Sequence, residues 1–368
     1  MKTVAAVARK PRGDFTIETL DVAPPRAGEV LVRIAGVGLC HTDLIFRDQF
    51  APYPLPAVLG HEGAGVIEAL GEGVEGLAIG DRVVLGFSSC GHCARCDEGL
   101  PSYCREFPPL NYAGCRLEDG STAFADNGEA VSSHFFGQSS FAALAVVRAR
   151  NVVKVESADA PLAILGPLGC GFQTGAGGVM RSMACPAGSS LVIFGGGPVG
   201  LAAVMGARLQ SCATIVLVEP VAARRALGQE LGATHSIDPT AGPVADALRA
   251  IMPDGFDFAF DTSGRVDAIE AGLGVLAPRG MLGLVGVPGQ AGETLTINIA
   301  AMITFGQRVI GIMEGDSDPQ TFIPELIAHH LAGRFPFDRL VQTFPLAQIN
   351  AAIAAQARGE CVKVVLIP

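Results

Sequence analysis

A chain of 368 residues is longer than one ordinary core supports, so two domains are expected. Its 49% hydrophobic content with only 17% charged residues excludes a disordered protein, and its net charge of −10 excludes the basic footprint that nucleic-acid binding requires. The most apolar stretch, residues 191–209, is interrupted by Gly195, Gly196, Gly197, Pro198 and Gly200, which excludes a membrane span and predicts a strand, a turn and a buried helix.

Residues 1–10 lack the charged start, apolar run and small-residue cleavage site of a secretory signal, so a cytoplasmic location is the expectation. In that reducing setting, ten cysteines point to metal ligands or buried thiols and not to a disulfide framework. From residue 2 to about 87, short valine, isoleucine and leucine runs alternate with turn clusters such as Ala23-Pro24-Pro25 and Gly71-Glu72-Gly73. This pattern predicts a β-rich region.

Three residues in and beyond that region form a candidate metal set. Cys40 lies in Gly38-Leu39-Cys40-His41-Thr42-Asp43, His61 in Gly60-His61-Glu62-Gly63, and Cys170 in Gly166-Pro167-Leu168-Gly169-Cys170-Gly171. Two cysteines and a histidine with the fourth position open are a known catalytic zinc arrangement. Taken singly, each residue also reads as a buried thiol or a satisfied polar side chain. The neighbours favour the site: Asp43 stands ready to orient the second ring nitrogen of His61, Glu62 adds a carboxylate, and Thr42 offers a hydroxyl. Thr42 and Asp43 also suit the first turn of a helix, and the two roles are compatible.

Cys90, Cys93, Cys96 and Cys104 form a C-x2-C-x2-C-x7-C array among glycines and polar residues. Four thiolates suit a closed tetrahedral structural zinc site, and by spacing alone an iron–sulfur cluster as well. A zinc ribbon for nucleic acid conflicts with the acidic chain and the small share of it that the loop occupies.

From about residue 189 the pattern changes to apolar runs at 191–194, 214–218, 256–260 and 281–287, separated by helix-length segments such as 221–231 and 266–276. Such alternation predicts βαβ units in a parallel sheet. Gly195, Gly197, Pro198, Val199 and Gly200 belong to a G-x-G-x-x-G turn between the first strand and a helix, the Rossmann fingerprint for a pyrophosphate. Glu219 closes the next strand, where a carboxylate bonds the adenosine ribose and repels a 2′-phosphate, so NAD is the expected cofactor. Arg224 and Arg225 follow and could accept a phosphate, leaving NADP as the alternative, or could be a solvated helix face. A helix over 319–331, a turn at 333–337 and a strand over 362–367 return the chain to its first domain.

The order of these motifs resembles the zinc-containing medium-chain alcohol dehydrogenases over essentially the whole chain. Residues 38–44, 136–141 (Phe136-Gly137-Gln138-Ser139-Ser140-Phe141), 166–171 and 335–338 are most similar to the aryl-alcohol (benzyl alcohol) and geraniol dehydrogenase subgroup. The resemblance implies an α/β protein: a GroES-like β-rich catalytic domain over 1–171 and 313–368, with a structural zinc lobe near 90–104, and a doubly wound Rossmann domain over 172–312. It favours zinc for the four cysteines, hence two zinc ions per chain. It places His41 near the pyrophosphate, Thr174 near the nicotinamide and Lys363 on a cofactor phosphate, and it implies a homo-oligomer, dimer or tetramer. One departure stands out: many relatives carry a relay histidine where this chain has Ile45.

The expected reaction is reversible hydride transfer from an aryl or allylic primary alcohol to NAD, giving the aldehyde, with Thr42 passing the proton outward. Partners are small-molecule alcohols and aldehydes, with no nucleic acid and no membrane. Alternatives are an NAD(P)-dependent relative for aliphatic or secondary alcohols, a zinc-free quinone or enoyl reductase of the same superfamily, and a non-catalytic NAD-binding zinc protein. Phe87, Phe135 and Phe136 read as pocket lining or as core aromatics.

Overall fold

The computed structural model describes residues 1–290 and 292–368. The chain forms two compact units: Met1–Cys170, Asp318–Leu331 and Asp338–Pro368 in the first, Gly171–Ser317 and Ala332–Phe337 in the second.

In the first unit, strand Glu29–Gly38 is the hub of the larger sheet. It is buried along nearly its whole length and runs antiparallel to Gly63–Leu70, Leu144–Arg148 and Lys363–Ile367. Gly38 pairs with Val365, and Val37 pairs with both Leu366 and Gly63. The residues at or just past these strand ends, Cys40, His61, Glu62 and Lys363, are thereby delivered to one edge although the sequence separates them by up to 323 positions. A smaller sheet takes the order Ala57–Val58, Lys2–Ala8, Phe15–Val22, Phe124–Asp126, Glu129–Val131.

In the second unit, six parallel strands lie in the order His235–Ile237, Thr214–Val218, Ser190–Phe194, Phe256–Asp261, Leu276–Leu284, Arg308–Gly311. The order reverses beside Ser190–Phe194, the strand that leads into the glycine turn. In open α/β sheets the crevice at such a reversal is the ligand position. Val192, Phe194, Val216, Leu248, Phe256, Ala259 and Leu282 pack together as its core.

Element limits differ from expectation by more than one residue in three places. The helix expected after Gly200, over 201–209, starts already at Pro198, because proline's fixed φ and missing N–H suit a first helical position. The helix expected over 266–276 stops at Gly274, and Leu276 pairs with Phe256 instead. The strand expected over 281–287 is Leu276–Leu284; it ends where the Val285 and Gly286 N–H groups converge on the Asp261 carbonyl. No helix among the described residues is long and apolar enough to cross a membrane.

Candidate active site

Helix His41–Arg47 begins immediately after Cys40, which occupies its N-cap. The fully buried Asp43 binds this turn to the next segment: Oδ2 accepts from Cys40 N (3.0 Å), and Oδ1 accepts from Gly60 N (3.1 Å) and lies 2.8 Å from His61 Nδ1. Nδ1 is thus engaged and Nε2 is left to point elsewhere. His61 Nε2 is buried and has no hydrogen-bond partner among the described residues.

The ligand atoms of Cys40, His61, Glu62 and Cys170 lie within 4.8 Å of one another. A hydrogen bond from Cys170 holds the Cys40 thiol well below its ordinary pKa, with burial opposing and His61 reinforcing the effect. Thiolate is the form in which cysteine ligates a metal. Burial works against a charged His61, yet Asp43 and Cys40 raise its pKa well above the usual value. Burial raises Glu62, with Lys363 pulling the other way across 2.5 Å. Gly38 makes room for this carboxylate, because a Cβ there would sit 1.9 Å from Glu62 Oε2.

The second cluster, Cys90, Cys93, Cys96 and Cys104, is made only of sulfur, with its ligand atoms within 4.8 Å of one another. Sγ separations are 4.0 Å for Cys90 and Cys96, 3.7 Å for Cys93 and Cys96, and 4.0 Å for Cys93 and Cys104. Sulfurs at tetrahedral corners about 2.3 Å from a zinc ion are roughly 3.8 Å apart, so the array fits that ion. Backbone N–H groups of Arg105 and Cys96 lower the Cys93 thiol pKa to about 6, and Cys104 accepts from Cys90 N and Glu106 N.

In the second unit, Gly200 packs against the turn it closes: a Cβ would lie 1.8 Å from Gly195 O. Glu219 is buried beside the turn. Its Oε2 accepts from Gly196 N at 2.6 Å and its Oε1 from Val221 N at 2.9 Å. Arg225 donates to the Glu219 and Pro220 carbonyls and pairs with Asp238 at 3.0 Å, whereas the buried Nε of Arg224 has no partner among the described residues.

Comparison with known proteins agrees with this geometry. The alcohol dehydrogenase GroES-like domain matches residues 26–157, and the zinc-binding dehydrogenase domain matches residues 198–329. The chain is 47% identical over 364 residues to a geraniol dehydrogenase of Castellaniella defragrans, covering 99% of this chain and 97% of that one. It belongs to the zinc-containing medium-chain alcohol dehydrogenases.

Two solved structures superimpose on this dehydrogenase over its whole length and over 99% of each of theirs. They are an alcohol dehydrogenase zinc-binding domain protein from Burkholderia ambifaria (50% identical, TM-score 0.97) and the benzyl alcohol dehydrogenase of Acinetobacter calcoaceticus (40%, 0.96). The expected fold class, a GroES-like domain with a Rossmann-type sheet, is borne out.

The remaining sequence-derived residues of the dehydrogenase fall as follows. Thr42 Oγ1 is 3.6 Å from Cys40 Sγ. His41 is exposed. Thr174 donates to Glu314 Oε2 at 3.4 Å. Lys363 is buried, and its ammonium meets Glu62 and donates to the Leu39 carbonyl at 3.1 Å. Phe87, Phe135 and Phe136 are all buried, with Phe136 stacked on His61 at 4.5 Å between centroids.

Sequence reasoning missed two groups. Glu29, Arg116 and His134 form a buried ion cluster, with Arg116 forked onto Glu29 at 2.7 and 2.9 Å and His134 Nε2 at 3.3 Å. Its only sequence signal is an acid at the head of the apolar run Glu29–Gly38. Gln138, inside the 136–141 motif, touches the backbone on both sides of Glu62.

Proposed function

We propose that this alcohol dehydrogenase oxidises aryl or allylic primary alcohols reversibly to aldehydes with NAD, using two zinc ions per chain. The observation that carries the metal assignment is His61 Nε2, buried and unpartnered among the described residues, within ligand distance of two thiols. Cys40, His61 and Cys170 would hold the catalytic ion, and Cys90, Cys93, Cys96 and Cys104 the structural one. When bound, these groups supply Lewis acidity at the metal and hydride acceptance at the nicotinamide.

The chain's own residues do the rest. Asp43 fixes the ring of His61 through Nδ1. Thr42 carries the alcohol's proton outward, and Ile45 has no group to relay it further. The Gly195–Gly200 turn and the start of helix Pro198–Leu209 receive the pyrophosphate, with Glu219 at the adenosine ribose. His41, Thr174 and Lys363 keep the cofactor roles that the family likeness assigns, and Lys363 must leave Glu62 to reach a phosphate. The catalytic domain is assigned to 1–171 and 313–368 and the coenzyme domain to 172–312, in a cytoplasmic homo-oligomer.

Substrate class rests on the geraniol and benzyl alcohol dehydrogenases among the relatives. Burying an aromatic or allylic group adds roughly 25 cal/mol per Å² that ethanol lacks, and it counts only where the contact persists in the transition state. The test compares kcat/KM for benzyl alcohol, cinnamyl alcohol, geraniol, ethanol and 2-propanol with NAD. A preference for ethanol or 2-propanol would overturn the substrate class and leave the metal assignment standing. Arg224, with an Nε that has no partner among the described residues, favours a second reading in which NADP is used, so the series is repeated with NADP.

A further inference from the structure

We propose that Gln138 is a positioning residue for the catalytic zinc site, holding the His61–Gly63 backbone so that His61 and Glu62 face the two thiols. The inference rests on the zinc reading above and adds a residue outside the ligands and their side-chain partners.

Gln138 is fully buried and its side-chain amide is spent on this one turn and its neighbours. Nε2 donates to His61 O at 2.8 Å and to Gly86 O at 3.0 Å, while Oε1 accepts from Gly63 N at 3.1 Å and Ser140 Oγ at 2.6 Å. The amide therefore grips one backbone group before Glu62 and one after it. Ser140 adds a second hold, donating through N and Oγ to Gly60 O at 2.9 and 3.1 Å. Asp43 engages the same turn from its other side, at Gly60 N and His61 Nδ1. Only a neutral amide offers two donors and an acceptor in this arrangement. A carboxylate would set its oxygens against the His61 and Gly86 carbonyls, and an apolar side chain would leave all three backbone groups without the amide.

The backbone that presents Gln138 is held in an unfavourable conformation. His134, Phe136 and Ser139 have φ of 61°, 51° and 52°, a left-handed region that non-glycine residues seldom adopt, and Gly137 between them has 68°. Such strain persists where surroundings over-determine it. Here Glu29 meets His134, Asn151 Nδ2 donates to Phe136 O at 3.0 Å, and Ser139 Oγ donates to Val58 O at 2.6 Å. What the strained segment delivers is the Gln138 amide on the His61–Gly63 backbone and the Phe136 ring on His61.

The experiment uses the zinc-loaded dehydrogenase and follows zinc release to a colorimetric chelator below the thermal transition, alongside thermal unfolding, kcat and KM. Wild type should release one zinc quickly and retain the four-thiolate zinc. Gln138→Met, which keeps the volume and removes the amide, should speed the fast phase about 10- to 100-fold and leave the slow phase unchanged, the usual consequence of losing an outer hydrogen-bond partner at a metal site. A purely structural role would lower the melting temperature and leave the fast phase as it was; that result overturns the inference. Should Gln138→Met fail to fold, Ser140→Ala decides, since it removes only the hydroxyls' hold on Oε1 and Gly60 O. A fast phase quickened by about 3-fold or more supports the inference, and an unchanged one overturns it. A wild-type protein with no fast-releasing zinc would instead refute the zinc reading on which the inference stands.

Discussion

Lys363 Nζ lies 2.5 Å from Glu62 Oε2, and neither side chain is more than 2% exposed. The pair joins the first residue of the C-terminal strand to the residue after His61, so the C-terminal strand supports the edge that carries Cys40 and His61. A buried ion pair is costly to break from one side, because the remaining charge stays desolvated. Lys363→Met should destabilise the protein by about 3–5 kcal/mol in urea unfolding. The double variant Glu62→Gln with Lys363→Met should recover part of that loss. With Glu62→Gln alone completing the cycle, losses of the two single variants that simply add in the double would show that the pair is not coupled.

Removal of metal ligands should separate the two clusters. His61→Ala leaves the four-cysteine array intact, so one zinc per chain should remain, turnover should vanish, and the fold should survive. Cys93→Ala breaks the proposed structural zinc site, whose metal would contribute folding energy directly, so solubility and melting temperature should fall. Metal analysis and thermal unfolding on both variants check this; equal loss of folding in the two would contradict the division of roles.

Glu29 makes stability depend on pH in the acid range. Burial on its own would raise its pKa, but hydrogen bonds from His134 and Arg116 outweigh burial and hold the carboxyl well below the glutamate range. A group depressed in the folded state contributes fully above its unfolded pKa, about 4.3, and loses that contribution as pH falls from there through the folded value. Glu29→Gln should therefore cost about 3–5 kcal/mol at neutral pH, leaving Arg116 buried without its carboxylate. The difference from wild type should shrink below about pH 4.3. Urea unfolding in steps from pH 7 to the acid limit measures it, and a gap independent of pH would refute the account.

Glu219 should govern the choice of cofactor. Its carboxylate accepts from Gly196 N and Val221 N, so Glu219→Ala removes a support of the glycine turn and, on the proposed reading, the ribose partner as well. Loss of a charged hydrogen bond worth about 1.5–3 kcal/mol should weaken NADH at least roughly ten-fold and narrow the preference over NADPH. Fluorescence titration with both cofactors reads the two constants. An unchanged NADH-to-NADPH ratio would remove the carboxylate from the argument.

Sequence alone determined what depends on local spacing. The glycine turn between strand and helix, the four cysteines in one loop and the alternation of apolar runs with helical segments are short-range patterns, and each is visible in a few consecutive residues. Short apolar runs between turn clusters likewise marked the first region as β-rich, and family likeness supplied its GroES-like identity and its limits. Tertiary structure decided whatever joins distant segments. The placement of Lys363 on Glu62, of Gln138 on the His61–Gly63 backbone and of Arg116 and His134 on Glu29 follows from strand pairing and from a strained segment, neither of which has a local signature. The strand start at Leu276 has the same origin, since its register opposite Phe256 is set by the neighbouring strand. Nearest-neighbour chemistry is written along the chain, whereas the partner of a buried charge or amide is chosen by which backbone the fold brings within about 3 Å of it.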